Sequence, residues 1–217
     1  MKSEDSFKLG LVLAGSAINH VQEICTALMD VFRFSPDLSL VGIDSVDCSG
    51  FSNPVLTGNS YISFDRLATM SVEDILAVSV LSPDHVNLNF LTPLCIVQDG
   101  TAIREFSFSK FITSLLRRIS SLAYYYGGSV PGLDYKRLSA LSKEMRVFDS
   151  NISYFGRTGW KKEGLLGSCL VTGDLSEFHP LLLLGEYLHC GKGAAYGMGS
   201  YVIVRDNLST HDSLNEV

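Results

Sequence analysis

An α+β fold is what this sequence predicts, and three observations predict it. Across residues 84–206 the apolar patterns follow one another as strand, helix, short helix, strand, strand, helix, strand. The first of these, Asp84 to Val97, alternates polar with apolar residues as a half-buried strand does. Strands split by helices in this order make a ferredoxin-like (RRM-like) unit, its helices lying on one side of the sheet. Residues 1–83 open as strand, helix, strand and then lapse into short apolar pieces, which reads as an incomplete unit of the same kind. The expectation is tandem ferredoxin-like domains, an incomplete one over 1–83 and a second over 84–206, with a polar tail at 207–217. No sequence repeat links the two halves.

Taken in order, Phe7 to Ala14 alternates and reads as a strand that ends at Gly15-Ser16. Ala17 to Phe34 places Ile18, Val21, Ile24, Cys25, Leu28, Val31 and Phe32 at helical spacing, and Ser35-Pro36 stops that helix. Leu40 to Val46 reads as a strand, and residues 48–84 as turns with weak strands. Asp84 to Val97 alternates as a half-buried strand does. Ser107 to Tyr126 is the strongest helix, with an apolar stripe of Phe108, Phe111, Ile112, Leu115, Leu116, Ile119, Leu122 and Ala123, ended by Gly127-Gly128. Asp134 to Met145 reads as a short basic helix, and Arg146 to Arg157 and Leu165 to Thr172 as two strands. His179-Pro180 opens an apolar helix that runs to His189, and Tyr201 to Val204 is a last strand.

The 217 residues are 46% hydrophobic and 18% charged, enough for one large or two small cores. Five cysteines are scattered without Cys-x-x-Cys spacing, so the expectation is reduced thiols in the cytoplasm, with no zinc site or disulfide framework. Glu4 and Asp5 precede the short apolar run Leu9–Ala14, which argues against a secretory leader, and no run is long enough to span a membrane. The net charge of −6 is unevenly spread. Residues 1–100 hold 4 Lys and Arg against 12 Asp and Glu, residues 101–170 hold 11 against 5, and residues 171–217 hold 2 against 6. A basic middle in an acidic chain is a local footprint for an anionic partner, or else a set of solvated helix faces.

Between the last helix and the last strand lies His189-Cys190-Gly191-Lys192-Gly193-Ala194-Ala195-Tyr196-Gly197-Met198-Gly199-Ser200. Glycine admits backbone conformations and close approaches that a Cβ forbids, and Lys192 adds a cationic donor. The order is helix, loop, strand, the reverse of the common nucleotide loops, and no Lys-Ser or Lys-Thr follows at Walker spacing. No dinucleotide, ATP or other cofactor is therefore expected. A loop laid against a nucleic-acid backbone fits better, unless the glycines serve only to pack the last strand.

Four stretches taken together resemble a family: Phe90-Leu91-Thr92-Pro93-Leu94, the helix with Leu116-Arg117-Arg118-Ile119-Ser120-Ser121-Leu122, Gly164-Leu165-Leu166-Gly167-Ser168, and Gly185 through Gly199. In that order they resemble the C-terminal region of the Cas6-type CRISPR RNA-processing endoribonucleases of the RAMP superfamily. The resemblance covers residues 84–205, and 7–46 more loosely. It implies two ferredoxin-like domains and precursor CRISPR repeat RNA held on basic and glycine-loop surfaces. It also implies metal-independent cleavage, in which a 2′-hydroxyl attacks the adjacent phosphate to leave a 2′,3′-cyclic phosphate. A histidine base and a cation at the phosphorane serve that chemistry. Family members carry a longer N-terminal domain, so this chain is expected to begin partway through it.

The residues expected to touch RNA are Gly191, Lys192, Gly193, Gly197 and Gly199 in the loop, Arg117 and Arg118 on the long helix, and Arg157, Lys161 and Lys162 at the hairpin turn. Arg117 and Arg118 point about 100° apart, so one is expected to bind RNA while the other pairs with a carboxylate. Trp160 and Tyr154 are candidates to stack on an unpaired base or to pack the hairpin. His189, directly before the loop, is the first candidate for catalysis and His20 the second; each could instead make a plain helix-end hydrogen bond. His85 and His179 read as boundary residues, and His211 as part of the tail. Two other functions stay open: a non-catalytic guide-RNA-binding RAMP subunit, and an acidic scaffold on the same fold. Unpaired sheet edges in the incomplete first half favour a homodimer, and the resemblance implies a CRISPR effector complex as the alternative setting.

Overall fold

The computed structural model describes residues 6–35, 37–57, 60–61, 67–78, 81–128, 132–156 and 162–205. The chain divides into two units, Met1–Asp74 with Ser120–Pro131, and Ile75–Ile119 with Gly132–Val217. The tail expected at 207–217 lies outside the described residues.

In the first unit a 3₁₀ turn, Gly15–His20, leads into α1 (Val21–Arg33). A meander follows, β1 (Gly42–Val46), β2 (Ser52–Thr57) and β3 (Ser60–Tyr61), all antiparallel. The register slips between Ile43 and Asp44, opposite Pro54. Proline has no N–H to give the ladder, and a bulge accommodates it. The expected strand Phe7–Ala14 is not formed: these residues have no regular structure, and Phe7, Leu9 and Leu11 are exposed. Alternation makes a strand only where a neighbouring strand supplies hydrogen bonds and a face to cover. The stretch read as turns also holds a helix, α2 (Val72–Ala77). Ser71 and Asp74 cap it reciprocally, Asp74 N–H donating to Ser71 Oγ at 3.1 Å and Ser71 N–H to Asp74 Oδ2 at 2.8 Å.

The second unit is built on β4 (His85–Leu94), whose Val86, Leu88 and Phe90 are buried on alternate positions. After the β5–β6 hairpin (Val97–Gln98 and Thr101–Ala102) come α3 (Phe108–Leu122), α4 (Tyr135–Leu141), β7 (Arg146–Phe148), β8 (Ser153–Phe155), β9 (Gly164–Thr172), α5 (His179–Leu188) and β10 (Tyr201–Val204). The sheet runs β10-β4-β9-β7, with β8 also on β9, and every pairing is antiparallel. This is the ferredoxin-like order expected for this half, and the α+β class holds for the chain. The single strand expected over Arg146–Arg157 is instead two short ones on the same edge of β9. Asn151 N–H donates to Ser168 O at 2.8 Å between them, and Gly167 makes room, since a Cβ there would lie 2.2 Å from Asn151 O.

Helices α3 and α5 cover the apolar face of this sheet. Phe111 of α3 meets Phe90 edge-on at 5.5 Å and Tyr201 at 5.2 Å. The buried Tyr201 hydroxyl donates to Leu182 O of α5 at 2.7 Å. Gly185 clears the ring's path, because a Cβ there would sit 2.1 Å from the Tyr201 hydroxyl. On the outer edge of β10, Ile203 N–H donates to Glu186 Oε1 at 2.7 Å, and Glu186 also binds Arg205 at 2.7 Å. A side-chain carboxylate thus blocks part of that edge against further strand pairing.

Candidate nucleic-acid interface

The glycine loop is stitched to the end of β4 through its own backbone. Lys192 N–H donates to Cys95 O at 2.7 Å, Gly199 N–H to Pro93 O at 3.0 Å, and Cys190 N–H to Gly199 O at 3.1 Å. Thr92 adds a side-chain clasp, donating to Gly197 O at 2.8 Å and accepting from Ser200 N–H at 2.8 Å. Within the loop, Tyr196 and Met198 N–H donate to Gly193 O, and Gly197 N–H to Ala194 O. Most loop amides therefore serve the loop itself rather than converging on an anion. The glycines divide by role. A Cβ at Gly191 would lie 2.5 Å from Cys95 O, and one at Gly199 only 1.8 Å from Cys190 O, whereas Gly197 faces open space. At Gly193 the near neighbour is the flexible Met198 Sδ at 2.7 Å. What the loop presents outward is Lys192, Ala195, Gly197 and Tyr196, the last 85% exposed and not anticipated from the sequence.

A second group gathers at this same end of the sheet, where Gly164 packs against Leu94 and Cys95. The Arg104 guanidinium lies 5.0 Å from the Tyr154 ring centroid, a cation–π contact. The Tyr154 hydroxyl bonds to Glu163, and that bond is the chief reason its pKa is raised. Lys192 and Glu163 both reach Cys95 with their fields, in opposite senses, though burial dominates in raising that thiol. Exposed Lys162 adjoins Glu163. Arg104 escaped the sequence reading because its aromatic partner is far along the chain.

The basic segment is not a single patch. Arg137 pairs with Glu177, and Arg146 sits opposite Thr172, at the other end of the sheet from the loop. Arg117 is exposed on α3, while half-buried Arg118 donates from Nε to Leu188 O at 3.2 Å. Its partner is not the expected carboxylate but a carbonyl at the C-terminus of α5, where a cation complements the helix dipole. Arg157, Trp160 and Lys161 lie outside the described residues.

His189 and His20 stand in different units, and each is described by itself. His189 ends α5 with a φ of +58°, half-buried, its N–H donating to Gly185 O at 2.9 Å. Burial lowers its pKa most, the Arg118 charge lowers it further, and a bond to the Ala194 backbone works against both. A folded-state pKa held below the unfolded value means that this group's contribution to stability is fully present above about pH 6.5 and is lost as the pH falls from there through the lower folded-state pKa. The melting temperature of the wild type should accordingly drop more between about pH 7 and 5.5 than that of His189→Asn, which does not titrate there and tolerates positive φ. Parallel melting curves at constant ionic strength would contradict this.

His20 ends the 3₁₀ turn with its side chain 68% exposed, Nδ1 lying 3.9 Å from Glu23 Oε1. His85 and His179 brace the start of β4. His85 Nδ1 lies 2.8 Å from Asp84 Oδ1 and 3.0 Å from Ser82 Oγ, and His179 Nε2 lies 2.9 Å from Ser82 O. Serine and aspartate meet the same ring nitrogen of His85, so they do not form a relay through the imidazole. The cysteines are free, and burial pushes Cys169 and Cys190 up to about 12. Among the described residues, no cluster of His, Cys, Asp and Glu could hold a metal, and no helix is long and apolar enough to cross a membrane.

Residues 88–201 match a family model described as the CRISPR-associated endoribonuclease Cas6. No curated protein sequence matches the chain. Among solved structures, the chain is similar to Thermus thermophilus Cas6, at 16% identity and a TM-score of 0.51 over 64–65% of this chain, as both that protein and a histidine-to-alanine Cas6 mutant show. It spans 59% of the mutant's length and 61% of the Thermus thermophilus protein's. A chain of a partial Cas6-RT-Cas1–Cas2 complex is similar at 11% identity and a TM-score of 0.62, over 88% of this chain and 34% of that one. At such identities the likeness is one of fold.

Proposed function

The chain belongs to the family of the CRISPR-associated endoribonuclease Cas6, and from that premise we propose that it binds CRISPR repeat RNA on the loop end of its second unit and cleaves it without a metal. The observation that carries this reading is the gathering of Lys192, Arg104 and Lys162 beside the clasped glycine loop, with Tyr196 exposed at its tip. Lysine and arginine meet phosphates, and tyrosine offers a face to an unpaired base. A solved Cas6 product complex, similar at 16% identity and a TM-score of 0.50, agrees with RNA processing as the activity.

Cleavage by the repeat RNA's own 2′-hydroxyl needs a base for its proton and leaves a 2′,3′-cyclic phosphate with a 5′-hydroxyl on the other fragment. We assign the base to His20. Its imidazole is open to solvent, with Nδ1 3.9 Å from Glu23 Oε1, so a bound 2′-hydroxyl can reach it. The half-buried His189 bonds within the loop and ends α5, so it acts as a positioning residue.

The test is incubation of the purified chain with labelled repeat RNA in EDTA, read on a denaturing gel. Cleavage to a product that phosphatase converts only after acid opening of the cyclic ester is expected. Salt-sensitive binding without cleavage would favour a guide-RNA-binding subunit, and absence of binding would favour the acidic scaffold. The similar chain from the Cas6-RT-Cas1–Cas2 assembly makes a CRISPR protein complex the natural setting to test for partners.

A further inference from the structure

The end of α3 is a π-helical turn, Ala123–Gly127, and it carries three tyrosines in a row. Tyr124, Tyr125 and Tyr126 are 64%, 73% and 52% exposed. The Tyr125 ring stands edge-on to Tyr124 at 5.0 Å and lies 6.5 Å from Tyr126. π-helical turns are rare and recur at functional sites.

The turn is held in place. The 3₁₀ turn Gly15–His20 packs against it, so closely that a Cβ on Gly15 would lie 2.2 Å from Tyr126 O. Gly128, at a φ of +73°, ends it. The tyrosines thus stand on a pinned segment, and the turn pinning it ends in His20. Both belong to the first unit.

We infer that Tyr124, Tyr125 and Tyr126 form a stacking platform for unpaired RNA bases beside His20. The inference rests on the RNA-processing reading above and adds to it a binding site for single-stranded nucleotides. An exposed tyrosine offers a π-face to any base while its hydroxyl stays in water. The local sequence favours bases over phosphates: Ala123–Gly127 and the turn Gly15–His20 packed against it contain no Lys or Arg. The contact these three rings make is therefore with base faces.

The experiment is fluorescence anisotropy with labelled repeat RNA carrying its unpaired flanks, using wild type, Tyr125→Ala, Tyr125→Phe and Lys192→Ala. Tyr125→Ala is expected to weaken binding roughly 5- to 100-fold, with Tyr125→Phe near wild type. The slope of log affinity against log salt should be unchanged in Tyr125→Ala and shallower in Lys192→Ala. Photocrosslinking of 5-iodouridine RNA to the wild type, mapped to residues 124–126, gives a readout that needs no variant. Unaltered affinity in Tyr125→Ala, or crosslinks confined to other residues, would overturn the platform alone. Lack of RNA binding by the wild type would overturn the underlying reading and the platform with it. A Tyr125→Ala chain that changes oligomeric state while keeping its RNA affinity would assign the tyrosines to a protein contact instead.

Discussion

Replacing His20 by alanine should slow repeat-RNA cleavage by roughly 10²- to 10⁴-fold, the usual contribution of a positioned base. Affinity for the RNA and the melting temperature should barely move, since the side chain is 68% exposed and its recorded neighbour is Glu23 at 3.9 Å. Added imidazole should restore part of the lost rate, because a small free base can occupy the space that the ring vacated. His189→Asn is expected to act differently. It removes the bond to the Ala194 backbone and disturbs the loop's entry, so it should weaken binding more than it slows the chemical step under saturating RNA. Single-turnover rates at saturating protein separate the two. Full activity in His20→Ala together with an inactive, tightly binding His189→Asn would move the base to the loop.

Gly199→Ala should be the most damaging single change in the loop, costing roughly 3–5 kcal/mol of stability. Two effects add there. Its φ of +65° is left-handed, a conformation that strains any residue with a Cβ, and the new atom would lie 1.8 Å from Cys190 O. Neither neighbour yields easily, since Cys190 N–H is bonded to Gly199 O and Gly199 N–H to Pro93 O. Gly197→Ala carries a similar φ of +79° but meets nothing within 4 Å, so strain alone remains, about 1–2 kcal/mol. Urea unfolding of the two variants side by side checks the difference. Equal losses would show that the loop's glycines share one role.

Much of the second unit was legible because its elements carry strong, long patterns. β4 alternates from His85 to Phe90, and α3 holds one apolar stripe from Phe108 to Ile119. Two misses had visible local signals: Ser71 and Asp74 have the spacing of a reciprocal cap, and Asp99-Gly100 marks the β5–β6 hairpin. Phe7–Ala14 failed for the opposite reason. Its alternation is as clear as that of a true strand, but it pairs with no strand among the described residues.

The candidate interface shows the same division. Local order along the chain determined that a glycine-rich loop with one lysine joins the last helix to the last strand, because helix stops, strand alternation and glycine spacing are short-range properties. Only the tertiary structure decided what the loop does with those residues. Gly191 and Gly199 are set by carbonyls of Cys95 and Cys190, Arg118 by the end of α5, and Arg104 by a ring fifty residues away, at Tyr154. Contacts of that kind arise when the sheet closes and brings distant segments together, and no window of sequence contains both partners.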